Sequence, residues 1–303
     1  MVNKTLEFRA RPRCPSCGKT NHKSVWSGKF SDPLVTGFLE KFHYSSDTES
    51  ALGDQDFDLV KCGGCGLMYH RLVMSDAAIP VVYSEWTDSA QVERFEQTHG
   101  RAEEFEVGVY RTKLILRLKK LLEGRFNDPL RLLDFGCGSG RTIAQASMFG
   151  IQAQGIDVSD TRAEQASILN CQVFSSLDAF DQHGGGKVHA VIMEQVLEHL
   201  IDPLDILSAL HERLLPGGVL YIAVPNCTGK LPPTDFATFH NVQPVEHVNA
   251  FTPATLTTIG ENAGFSKERW PGVFVSTGVK GAIRTAGGMV HRPENTEQFF
   301  RRS

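Results

Sequence analysis

The chain contains no run of about 18 apolar residues, the least that a membrane-spanning helix requires. Its polar start, Met1 to Arg13, has no apolar core of the kind a secretory signal carries, so a cytoplasmic protein is expected. It also lacks an excess of positive charge. Lys and Arg number 31 against 35 Asp and Glu, a formal net charge of −4, which gives no global attraction to nucleic acid or to an anionic membrane. No internal repeat or low-complexity tract interrupts the sequence. With 41% hydrophobic and 22% charged residues, its 303 residues can bury one full α/β core and a small additional module.

What is present centres on residues 132–140, Leu-Leu-Asp-Phe-Gly-Cys-Gly-Ser-Gly. An apolar run leads into Asp134, glycines follow at 136, 138 and 140, and Arg141 to Gly150 reads as a helix. Strand, glycine-rich turn and helix in that order let a nucleotide-like ligand lie against bare backbone at a helix N-terminus. A dinucleotide fingerprint would need glycine at 136, 138 and 141, but position 141 is Arg. An ordinary strand-to-helix turn remains the alternative. Ile151 to Ile156 reads as a second strand ending at Asp157, about 20 residues after the turn and suited to accept hydrogen bonds from ribose hydroxyls. Ser159 and Asp160 fit the cap of the next helix. Asp157 supports adenosine binding without choosing the cofactor.

The rhythm continues. Cys171 to Phe174 reads as a third strand, Val188 to Met193 as a fourth, a helix follows from about Pro203 to Leu214, and Val219 to Val224 forms a fifth strand. Strands alternating with helices imply a mostly parallel, doubly wound sheet. The form D-x-G-x-G-x-G at 134–140 resembles the first motif of class I S-adenosylmethionine (SAM) methyltransferases. Val196-Leu-Glu-His-Leu-Ile-Asp-Pro203 and Leu214-Leu-Pro-Gly-Gly-Val-Leu-Tyr-Ile-Ala-Val-Pro-Asn226 resemble the motifs after strand four and at strand five of the same family. The resemblance covers about residues 130–275. It implies an α/β, Rossmann-like, seven-stranded sheet with SAM as cofactor. The cofactor-binding residues implied are Asp134, Gly136, Cys137, Gly138, Gly140, Asp157, Val158, Glu194 and Gln195.

Four of the seven cysteines fall in two C-x-x-C-G knuckles, Cys14/Cys17 with Gly18 and Cys62/Cys65 with Gly66. Each knuckle presents two thiolates to one tetrahedral ion, so a structural zinc site is expected, with redox-active pairs as the alternative. Lys61 to Tyr69 also resembles the second knuckle of ribbons that precede some SAM methyltransferases acting on sugars. The acidic stretch Asp47, Glu49, Asp54, Asp56 and Asp58 would repel phosphate, so nucleic acid is not expected as a partner. The linear organisation expected is a zinc-ribbon-like module over 1–75 and a helical connector over 76–125. A methyltransferase domain over 126–282 and a polar tail over 283–303 complete it. In the connector, Val107, Tyr110, Leu114, Leu118 and Leu121 recur at helical spacing, with Arg111, Lys113, Arg117, Lys119 and Lys120 on the remaining faces.

Two clusters could handle an acceptor's proton. The first is Glu194, Gln195, Glu198 and His199, at the end of strand four. Ubiquinone-type O-methyltransferases carry E-x-x-E-H in a similar stretch, linked to a divalent metal, but here Gln195 stands where the first Glu would be. The second is His240, Glu246 and His247. Glu246-His247 followed by Phe251-Thr252 resembles a segment of zinc-containing deoxysugar C-methyltransferases. That resemblance implies His247 as base, Glu246 as its orienting partner and His240 nearby, while histidines that merely bridge loops are the other reading. Adjacent residues on an extended strand point to opposite sides, so a working pair needs a turn here. Those sugar enzymes continue into a long C-terminal domain, whereas only a short polar tail is expected after the sheet in this sequence, a departure that makes carbon methylation less secure than methylation at oxygen. The expected function is methyl transfer from SAM to a small polar acceptor, such as a nucleotide-linked sugar or glycan precursor. O- or N-methylation of another small metabolite, or a ribbon protein that binds or modifies RNA, are the alternatives.

Overall fold

The computed structural model describes residues 7–41, 44, 47–75, 78, 101–272 and 295–303; the first half of the expected connector, 76–100, lies outside them apart from residue 78. In chain order the first elements are β1 (Phe8–Ala10), β2 (His22–Lys29), α1 (Pro33–Lys41), α2 (Asp47–Leu52), β3 (Asp56–Cys62), β4 (Met68–His70) and β5 (Leu72–Met74). Then come α3 (Arg101–Leu122), β6 (Arg131–Phe135), α4 (Arg141–Met148), β7 (Gln152–Ile156), α5 (Asp160–Ile168), β8 (Val173–Phe174), α6 (Leu177–Gln182) and β9 (Val188–Glu194). The last are α7 (Pro203–Arg213), β10 (Leu214–Pro225), α8 (Phe236–His240), β11 (Asn249–Ala250), α9 (Pro253–Asn262), β12 (Phe265–Lys267) and β13 (Asn295–Arg302). Among the described residues, no helix is long and apolar enough to cross a membrane.

The chain forms two compact units, each built from separated stretches. One comprises Met1–Gly100, Gln195–Leu207 and Val224–Ala263, and the other Arg101–Glu194, Ser208–Ala223 and Gly264–Ser303.

The second unit is built on a seven-stranded sheet of order β12-β13-β10-β9-β6-β7-β8. The pairs β6–β7, β6–β9, β7–β8 and β9–β10 are parallel and β12–β13 is antiparallel. The mostly parallel seven-stranded α/β sheet is the one expected. Strand order reverses at β6, between β7 and β9, which places the switch point of the sheet at the glycine turn. Leu132, Ala190, Ile192, Val219, Tyr221 and Ala223 of the strands pack with Leu114, Ile115, Leu118 and Leu122 of α3. Each large apolar side chain so buried contributes about 1.5–3 kcal/mol.

The expected polar tail is corrected. Residues 295–302 are β13, hydrogen-bonded between β12 and β10, with Phe299 and Phe300 buried. Only two apolar residues mark this strand, among charges, which is why it reads as a tail. A strand held on both sides has its backbone groups paired regardless of side chain. Arg301 adds to this by pairing with Glu268 and donating to the Gly217 carbonyl at 2.7 Å.

The first unit carries a four-stranded antiparallel sheet of order β11-β4-β3-β2. Its edge strand, β11, comes from far along the chain, pairing Asn249 with Tyr69 and Ala250 with Met68. The buried Arg11 guanidinium donates to Asn249 Oδ1 at 2.6 Å and to the Val248 carbonyl at 3.1 Å, and lies over the Tyr69 ring. Phe30, Phe38, Phe57, Phe239 and Val245 share one core. Residues 195–207 and 224–263 therefore pack with the N-terminal module, and the compact units do not follow the linear boundaries at 75 and 126.

Candidate functional site

The glycine turn is shaped by backbone conformation. Gly136, Gly138 and Gly140 have φ of 81°, 54° and 75°, in the left-handed region that side chains disfavour. Two of these glycines face different surroundings. A Cβ on Gly140 would lie 2.9 Å from Ala166 Cβ, whereas one on Gly138 would meet nothing within 4 Å. Gly140 is thus a packing glycine and Gly138 borders open space. Gly140 caps α4 with no side-chain hydrogen bond, so the first-turn N–H groups of that helix carry no side-chain cap.

Asp157 organises the loop from the next strand. Its Oδ2 accepts from Gly138 N–H at 2.8 Å and its Oδ1 from Ser159 N–H at 3.0 Å. Each oxygen keeps a further lone pair for a ribose hydroxyl. Ser159 caps α5, as expected, by accepting from Arg162 N–H. Val158, beside Asp157, is 72% exposed, an apolar surface next to that carboxylate. Cys137 is buried, and burial pushes its thiol up, away from nucleophilic use.

Asp134 is buried, and its carboxyl is pushed up to about 8 by desolvation, with Glu194 and Asp157 adding and Arg111 opposing. Glu194, at the end of β9, is raised by burial and held back by Tyr110 and Arg111. The sequence pattern places Arg111 on a solvated basic face. In the structure it is half-buried and faces Glu194 and Asp134, and Tyr110 reaches the same group. No local signal could show this, because the pairing depends on how α3 packs. Lys119 and Lys120 instead donate to the carbonyls of Phe149 and Gly272. Gln195 is exposed and has φ of 54°, a strained conformation for a residue with a side chain.

In the first unit, the expected acid–base residues come together. The His199 and His247 rings are 4.8 Å apart and perpendicular, and His240 lies 5.3 Å from His247. The required turn is there. Gln243 Oε1 accepts from Val245 N–H at 2.7 Å and Glu246 N–H at 2.9 Å, which bends the chain ahead of His247. Tyr44 donates its hydroxyl to Glu246 Oε2, a contact no sequence signal announced. Burial holds His247 well below its ordinary value, with His199 and His240 adding. His199 and His240 are lowered by burial too, with Glu246 opposing. Glu198, His199 and His247 bring donor atoms within 4.8 Å of one another. Cys227, also in this unit, is buried and pushed up to about 12, so it is no nucleophile.

The four knuckle cysteines converge. Cys14 Sγ is 3.6 Å from Cys65 Sγ, Cys17 Sγ is 3.5 Å from Cys62 Sγ, and all four lie within 4.8 Å of one another. The knuckles are built alike. Gly18 N–H bonds to Cys14 O and Gly66 N–H to Cys62 O, each glycine with positive φ. Four thiols at this separation suit one tetrahedral ion.

A family model described as a methyltransferase domain matches residues 108–269, more than half of the chain. The chain belongs to this methyltransferase-domain family. Among curated relatives, a ubiquinone biosynthesis O-methyltransferase of Brucella anthropi is 34% identical over 109 residues, covering 34% of this chain and 44% of that protein. Its counterpart from Caulobacter sp. is 31% identical over 110 residues, with the same coverage. The chain thus spans less than half the length of the curated relatives it matches. Among solved structures, the plantazolicin methyltransferase BamL, in complex with a desmethyl-plantazolicin analog and SAH, superposes with a TM-score of 0.52 at 16% identity. That match covers 73% of this chain and 93% of the other, and at this identity it shows the methyltransferase fold alone. BpumL, of the same description, gives 0.51 at 14% identity.

Proposed function

We propose that this chain is a SAM-dependent methyltransferase acting on a small polar acceptor, with a nucleotide-linked sugar or glycan precursor as the favoured class. The observation that carries the cofactor reading is the turn at 136–140. Open space at Gly138, uncapped N–H groups on α4 and the Asp157 carboxylate stand together at the switch point of a methyltransferase sheet. SAM, when bound, supplies a methyl group on a sulfonium that is already activated for displacement. The chain's part is to hold it. Asp157 would take the ribose, Val158 would offer an apolar surface to the adenine, and Asp134 and Glu194 would face the methionyl ammonium.

In-line methyl transfer needs the acceptor held on the methyl axis, and a base only where the acceptor must lose a tightly held proton. Burial disfavours the His247 cation, so the ring rests neutral, and taking up such a proton would call on the nearby Glu198 carboxyl to compensate the charge. Glu246, fixed by Tyr44 and the Gln243 turn, faces His199 and His240, so its orienting of His247 would run through those two rings. The resemblance of Glu246-His247 to the sugar C-methyltransferases favours this acceptor class. A second reading, O-methylation of another small metabolite, is favoured by the similarity to ubiquinone O-methyltransferases.

Cys14, Cys17, Cys62 and Cys65 would hold one structural zinc. Their paired sulfurs at 3.5–3.6 Å come close to the ~3.8 Å edge of a tetrahedron with Zn–S of about 2.3 Å. The test of function is turnover of radiolabelled SAM against panels of nucleotide sugars and small hydroxylated metabolites. His247→Ala is expected to lose at least about 100-fold in turnover while keeping wild-type SAM affinity. Full activity in that variant would overturn the base assignment.

A further inference from the structure

Glu198 and His199 lie in the turn that follows β9, and His247 lies just ahead of β11. One residue ties these two segments together. Asn249 donates its side-chain amide to the Leu197 carbonyl at 3.2 Å and to the Leu200 carbonyl at 2.7 Å. Its backbone N–H bonds to the Glu198 carbonyl at 3.0 Å, and its Oδ1 accepts from the buried Arg11 guanidinium at 2.6 Å. The turn at 197–200 is thereby locked against the segment that carries His247.

The lock brings three donors to one point. Glu198, His199 and His247 each offer one ligand atom, and these atoms lie within 4.8 Å of one another. Glu198 and His247 are buried, at 1% and 6% exposure, and His199 is half-buried. Nδ1 of His199 and Nδ1 of His247 are shut off from solvent with no hydrogen-bond partner. Buried polar atoms are ordinarily paired, so these two ring nitrogens call for a ligand. Two imidazoles and one carboxylate make up three of the four ligands of a tetrahedral zinc-type ion, with the fourth position open. Such an ion, with bonds of about 2.0–2.1 Å, spaces its donors about 3.4 Å apart, so the trio closes by at most about 1.4 Å. Magnesium and calcium prefer all-oxygen ligands and suit the two imidazoles poorly. Gln195 is exposed and takes no part, and the third donor comes from a segment far along the chain.

We propose that Glu198, His199 and His247 bind one divalent transition-metal ion of the zinc class, at a site separate from the cysteine knuckles, and that the bound ion silences His247 as a base. A neutral imidazole has a single lone pair. The ion and an acceptor's proton compete for it, so His247 serves one or the other. The silencing rests on the base role proposed above. The site itself rests on the donor geometry alone.

The test uses the full chain with its knuckle zinc in place, titrated with cobalt(II). Calorimetry is expected to show one further ion per chain. Its absorption is expected to carry d–d bands without thiolate-to-cobalt charge transfer, because no sulfur is bound. Glu198→Gln, which keeps the side chain's shape, and His199→Ala are each expected to weaken this ion at least about 100-fold. Both are expected to keep the knuckle zinc, which reports an intact fold. No further ion, thiolate charge transfer in its spectrum, or wild-type affinity in both variants would overturn the site. Ring-nitrogen NMR with zinc(II) reads the silencing. The lone-pair nitrogen signals of His199 and His247 are expected to move at saturation and that of His240 to stay, with turnover falling at least about 100-fold. A bound ion that leaves the His247 signal or the turnover unchanged would overturn the silencing and leave the site standing. Turnover that survives His247→Ala would overturn the base role itself, while the cobalt spectrum still decides the site.

Discussion

At the scale of single residues, Asp134 is under the most tension. Its carboxyl, raised to about 8 from an ordinary value of 3.8, is protonated in the folded protein and ionised in the unfolded chain between those limits. The native state binds more protons there, so stability falls as pH rises through the window. Asp134→Asn removes this cost. It is expected to raise the melting temperature of the ligand-free protein at pH 8, to change it little near pH 4, and to weaken SAM binding at both. A variant that melts lower at pH 8 would show that the carboxylate is compensated in a way the burial does not indicate. Asp134, the glycines and Asp157 were legible in sequence because their spacing is local and tied to one turn. Arg111 and Tyr44 were not. Their roles arise only when segments remote in sequence are packed together, and each reads alone as an ordinary surface residue.

At the scale of elements, the glycine turn and α4 depend on a close approach. Gly140 combines φ of 75° with a would-be Cβ contact of 2.9 Å to Ala166, so Gly140→Ala must shift α5 or strain the turn. It is expected to cost about 1–3 kcal/mol in denaturant unfolding, and to weaken SAM as the start of α4 moves. Gly138→Ala meets no neighbour within 4 Å and pays only for its backbone conformation, so it is expected to be less destabilising. Equal losses in the two would contradict the distinction between packing and ligand-facing glycines. The alternating strands and helices from 131 to 224 were legible because apolar runs, glycine turns and the Ser159 cap agree, whereas the short α6, α8, β11 and β12 carry no such signal. Strand β13 was not. Its Asn-Thr-Glu-Gln-Phe-Phe-Arg-Arg sequence carries no alternation, and the neighbours that pair with it define it.

At the scale of the whole molecule, the chain is two units woven from alternating stretches. The knuckles were readable as a motif, but their surroundings were not: Asn262 of α9 donates to the Ser16 carbonyl at 2.9 Å, between the two cysteines of the first knuckle. Native mass spectrometry is expected to find one zinc per chain. Replacing Cys14 and Cys62 together by serine should abolish it and lower thermal stability. Retained metal in that variant would contradict the four-thiolate site.

Central to all three scales is the claim that the turn at 136–140 holds the cofactor. A crystal structure of the protein grown with SAH tests it most directly. The expected result is a ribose hydrogen-bonded to the Asp157 carboxylate, an amino-acid moiety against Gly136 and Gly138, and an amino group near Asp134 and Glu194. SAH bound elsewhere, or a turn left empty at saturating SAH, would contradict it.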